Sequence, residues 1–70
     1  MNRYLFRVQY TRAADPDDPF DLGAVQYEAV CIRAATDAAA LVEATTATDR
    51  YRVAMDMTRT ITLTVTTADV

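Results

Sequence analysis

The chain predicts an α+β fold: a four-stranded antiparallel sheet with one helix packed on one face, in the order ββαββ. Three observations predict it. Four segments alternate apolar and polar side chains with the period of two that a half-buried strand requires. One Ala-rich segment in the middle repeats at helical spacing instead. Each strand-like segment has one apolar face, which suits an antiparallel sheet covered on one side only.

The first strand is read at residues 3–12, RYLFRVQYTR. Tyr4, Phe6, Val8 and Tyr10 fall on one face and Arg3, Arg7, Gln9 and Thr11 on the other, with Leu5 the one exception. Residues 13–23, AADPDDPFDLG, hold both prolines, four aspartates and the single glycine, and so form a loop. It is longer than a hairpin needs, and long ordered loops tend to carry function. Phe20 and Leu22 are expected to tuck back onto the domain.

The second strand is read at 24–33, AVQYEAVCIR. Val25, Tyr27, Ala29 and Cys31 are assigned to the apolar face, although Val30 and Ile32 spread the apolar pattern to both faces. A bulge near Ala29, or burial of both faces at one end, would account for this. The helix is read at 36–47, with Thr36 as N-cap, Asp37 in the first turn, and Ala38, Leu41, Val42 and Thr45 on the sheet-facing side. Residues 50–57, RYRVAMDM, read as a third strand with Tyr51, Val53, Met55 and Met57 inward. Residues 59–67 read as a fourth, with Ile61, Leu63 and Val65 alternating with Thr60, Thr62, Thr64 and Thr66. A strand order 2-1-3-4 keeps every neighbouring pair antiparallel. The order 1-2-3-4 would instead make strands two and three parallel across a helical crossover.

At 70 residues the chain is expected to be one domain with a thin core. A single cysteine, Cys31, allows no internal disulfide, and no apolar run approaches the length of a membrane span. The N-terminus shows no signal-peptide pattern, so a cytoplasmic location is expected. Histidine and serine are absent, and one glycine cannot build a Gly-rich phosphate loop. The familiar zinc sets and the Ser-based triad therefore cannot be assembled, and neither enzyme activity nor a cofactor is expected. Cys31, mid-strand among apolar residues, is expected to be a buried small hydrophobe.

What remains is equipment for binding. Asp15, Asp17, Asp18 and Asp21 form an acidic loop that lacks EF-hand spacing but suits an Arg- or Lys-rich protein surface. Arg3, Arg7, Arg50 and Arg52 are expected to cluster on the open face of the sheet. A net charge of −3 argues against nucleic acid as the partner. So does the expected burial of all four tyrosines, because single-strand binders display aromatics on the exposed face. The last strand, uncharged from Thr60 to Thr66 and free of Pro and Gly, is an edge open to pairing, and homodimerisation through 59–67 is expected.

In size, in ββαββ order and in the short Ala-rich helix after a strand (Tyr27 to Thr45), the chain resembles small phage-encoded inhibitors of the anti-CRISPR type. The resemblance implies a non-enzymatic protein that occludes a surface of a host complex, in the host cytoplasm, and assigns no functional residue. A nucleic-acid-binding module using the Arg face, or a small assembly protein joined through its last strand, are the other readings.

Overall fold

The computed structural model describes residues 1–68, in the order β1 (Asn2–Arg12), β2 (Ala24–Ala34), α1 (Asp37–Ala54) and β3 (Thr58–Ala68). The three strands form an antiparallel sheet in the order β2-β1-β3, and α1 packs on one face. The fold is α+β, and the expected pairing of the first strand with the second is present; the other neighbour of the first strand is the last one, where the order 2-1-3-4 placed the third. The strand expected at 50–57 does not form: residues 50–54 continue the helix, so the described residues hold three strands and not four. Asp69, expected to flank the last strand, lies outside the described residues.

Helix α1 begins where Thr36, in extended conformation, accepts a hydrogen bond from the Ala39 amide at 3.2 Å. Neither Gly nor Pro interrupts it afterwards, and the Thr45–Asp49 run does not stop it. The stop comes at Met55, where two backbone hydrogen bonds, Asp56 N to Val53 O at 3.2 Å and Met57 N to Arg52 O at 3.0 Å, make a Schellman closure. Asp56 occupies the left-handed position of that motif, at φ 52°, where glycine is usual. The apparent alternation of residues 50–57 was coincidental: Tyr51, Val53 and Met55 are exposed, and only Met57 is buried.

The sheet-facing stripe of α1 is Ala40, Ala44 and Thr48, three small residues four apart, in place of the expected Ala38, Leu41, Val42 and Thr45. They let the helix lie close to Tyr4, Phe6, Val8 and Tyr10 of β1, all essentially buried. Thr48 satisfies its hydroxyl by donating to Ala44 O at 2.8 Å. Arg59 of β3 clasps the helix from the side, donating to Thr45 O at 3.0 Å and to Thr48 Oγ1 and Asp49 Oδ1 at 3.3 Å each.

Register corrects the second strand. Tyr10 lies opposite Gln26, Val8 opposite Glu28, Phe6 opposite Val30 and Tyr4 opposite Ile32, so these even-numbered residues share the helix side. Val25, Tyr27, Ala29 and Cys31 are on the open face, and Cys31 is exposed. The β1–β2 register runs without a shift; the bulge is in β3 instead, where Leu5 faces Val65 and Phe6 faces Leu63, leaving Thr64 over. Thr64 Oγ1 donates to Leu5 O at 2.9 Å. Beyond the bulge the parity of β3 changes, so Val65 moves to the open face and Thr66 to the helix side.

Candidate functional site

The loop between β1 and β2 is held from within. Asp21 is its hub: Arg12 grips the carboxylate with both terminal nitrogens, at 2.9 and 2.8 Å, and the amides of Asp15 and Gly23 donate to the same group at 3.0 and 2.8 Å. These four donors hold the Asp21 carboxyl well below the usual carboxylate range, the Arg12 hydrogen bonds having the largest effect. Asp15 accepts from the Asp17 amide at 2.9 Å and Asp18 from the Phe20 amide at 3.0 Å, two Asx turns closed further by Asp18 N to Asp15 O and Asp21 N to Asp18 O, each 3.1 Å. Gly23 ends the loop at φ 77°, where a Cβ would sit 2.6 Å from Arg12 O.

Two large apolar side chains stand out from this stiffened loop. Phe20 is 91% and Leu22 92% exposed, against the expectation that they would fold back. Asp15, Asp17 and Asp18 are exposed around them. Asp21, expected to be a fourth docking carboxylate, is instead a structural part of the loop. No composition signal marks Phe20 as exposed; only the turn geometry aims it outward.

The second surface is the open sheet face. Arg3 and Arg7 lie there as expected, whereas Arg50 and Arg52 are on α1, so the four-arginine cluster does not form. Arg52 turns to Asp49, at 2.8 Å. Arg33 takes a place on the open face instead, beside Arg3 by register. The Arg7 guanidinium lies 4.4 Å from the centre of the Tyr27 ring, a cation–π contact on that face. Leu5, Cys31 and Val65 join Arg3 and Arg33 around a shallow hollow of about 500 Å³. No Asp or Glu of β1, β2 or β3 occupies the open face.

On the helix side, Tyr10 donates to Glu28 Oε2 at 2.8 Å, packs edge-on against Tyr51 with ring centres 4.7 Å apart, and Tyr51 in turn donates to Gln26. Burial, then the Glu28 hydrogen bond and charge, push the Tyr10 hydroxyl up to about 12. This polar cluster lies at the rim of the helix–sheet interface and accounts for Gln26 and Glu28 on the helix side, where both stay exposed. Thr60 and Thr62 are exposed on the open face, Thr64 sits in the bulge, and Thr66 lies opposite Tyr4. Among the described residues no group of three or more His, Cys, Asp or Glu is placed to hold a metal ion, and no helix is long and apolar enough to cross a membrane. Comparison with protein-family models, with curated proteins and with solved structures finds no match.

Proposed function

We propose that the protein is a non-enzymatic protein-binding module that seats Phe20 and Leu22 in an apolar pocket on a partner with a basic rim. It would act by occluding that surface, the mode that the resemblance of the sequence to small phage-encoded inhibitors implies. The observation that supports this reading is a loop rigid by its own hydrogen bonds that holds two large apolar side chains almost wholly in water. Such exposure contributes nothing to folding. A pre-ordered aromatic anchor does lower the entropy cost of association, and anchors of this kind dominate interface energies. Asp15, Asp17 and Asp18 around it would steer the loop to a basic partner.

The test is capture from host lysate followed by affinity measurement on the protein retained. Phe20→Ala with Leu22→Ala is expected to weaken binding at least about thirtyfold, a hot-spot loss, with the fold intact because neither side chain is buried. Reversing Asp15, Asp17 and Asp18 to Lys is expected to slow association and reduce its salt dependence. If Arg3→Glu with Arg7→Glu abolishes capture and the loop variants do not, the loop is not the docking element.

A second reading has one observation in its favour. Tyr27 on the open face, beside Arg7, supplies the exposed aromatic that single-strand binding needs. Salt-dependent retention of a labelled oligonucleotide, lost in Tyr27→Ala, would support it.

A further inference from the structure

The molecule exposes more surface than a self-contained monomer of its size. Its accessible area is 5088 Å² at 7.8 kDa. The size scaling of folded monomers gives about 4,400 Å² for that mass. Its radius of gyration is 14.8 Å, where a compact chain of this length has about 11 Å. The excess of roughly 700 Å² is close to the ~800 Å² that each partner hides in a standard interface.

Part of the bare apolar surface lies at β3. Val65 is 50% exposed on the open face and Leu63 39% exposed on the helix side, so the strand is uncovered on both faces beyond Ile61. Its outer edge pairs with no strand among the described residues. Above it, the β3-facing flank of α1, marked by the Arg59 bond to Thr45, carries Leu41 one turn earlier, 46% exposed. Leu41 and Leu63 are thus two exposed apolar side chains on the β3 side of the helix.

We propose that β3 pairs antiparallel with β3 of a second copy of this chain, giving a continuous six-stranded sheet. This inference does not rest on the loop-docking reading. The two-fold axis of such a pairing stands perpendicular to the sheet, so both helices lie on one side and Leu41 and Leu63 of each copy lie toward the joint. A second copy fits better than a charged partner strand. Residues 60–67 carry no charge, so two copies align without like charges opposed. The one charge of β3, Arg59, is already turned onto α1. The bulge at Thr64 divides the edge, and the regular segment on its N-terminal side, including Thr60 and Thr62, is the part able to form an unbroken ladder.

Sedimentation analysis of the full chain tests the proposal, with paired charge variants to separate interface from fold. The wild type is expected to dimerise with a Kd of about 100 µM or tighter. Thr60→Lys with Thr62→Lys, and Thr60→Glu with Thr62→Glu, are each expected to weaken self-association at least about tenfold. Far-UV circular dichroism should be unchanged, since both threonines are exposed. Mixing the two variants is expected to restore a dimer. A monomeric wild type at that concentration overturns the proposal. So do variants that dimerise as well as wild type, or a mixture that stays monomeric.

Discussion

Asp56 shows how one residue decides the path of the chain. It sits at φ 52°, a left-handed conformation uncommon for L side chains, and its amide and that of Met57 close the end of α1. Met57, the next residue, is thereby delivered into the core beside Val8 and Tyr10. Asp tolerates the left-handed region better than most residues, but glycine does so without cost. Asp56→Gly is therefore expected to raise stability by about 0.5–1 kcal/mol, and Asp56→Val to lower it. Urea unfolding of the two variants checks this; equal midpoints would mean that the strain is relieved elsewhere. The same residue explains the missed helix end. With no Gly after the helix, nothing in the sequence marked a Schellman closure, and the coincidental alternation of Tyr51, Val53 and Met55 filled the gap with a strand.

At the scale of elements, β1 was legible because its burial is decided by itself: it is the central strand, and Tyr4, Phe6, Val8 and Tyr10 all meet the helix. β2 was not, because apolar residues occupy both parities and counting them favoured the wrong one. Cross-strand register decides the matter, and the polar side chains that seemed misplaced, Gln26 and Glu28, are satisfied by Tyr51 and Tyr10. The arginine cluster failed for the same reason as the third strand, since Arg50 and Arg52 went with the helix. The acidic loop was legible as a loop, but its exposed anchors depended on turn geometry. Besides Ile61, which packs against the core cluster holding Ala40 and Ala44, the helix–β3 joint is made by Arg59, which is largely buried and has three acceptors on α1. Arg59→Ala is expected to cost about 2 kcal/mol, the scale of hydrogen bonds to a charged group, and to raise amide exchange in β3 more than in β2. Uniform loss of protection across the sheet would show that Arg59 supports the whole fold and not this joint.

For the molecule as a whole, pH should act through three groups, two carboxyls and one phenol, which titrate at opposite ends of the range; the Arg12 guanidinium, raised by Asp21, stays charged throughout. Asp21 and Asp49 titrate below the ordinary value of 3.8, Asp21 chiefly through Arg12 and Asp49 chiefly through Arg52. Each therefore contributes stability that is present above that ordinary value and is lost as pH falls through its folded value. Tyr10 is displaced the other way, from 10.0 to about 12. A raised value means the folded state holds the proton more tightly than the unfolded chain does. Its contribution is complete below pH 10.0 and is lost as pH rises through about 12. Stability should accordingly be flat through neutral pH and fall at both extremes. Asp21→Asn is expected to shrink the acid limb, and Tyr10→Phe, which keeps the ring against Tyr51 but removes the ionisable hydroxyl, to shrink the alkaline one. Urea midpoints recorded from pH 3 to 12 separate the two. An alkaline limb of the same depth in Tyr10→Phe would show that the buried hydroxyl between Glu28 and the helix is not what the fold loses at high pH.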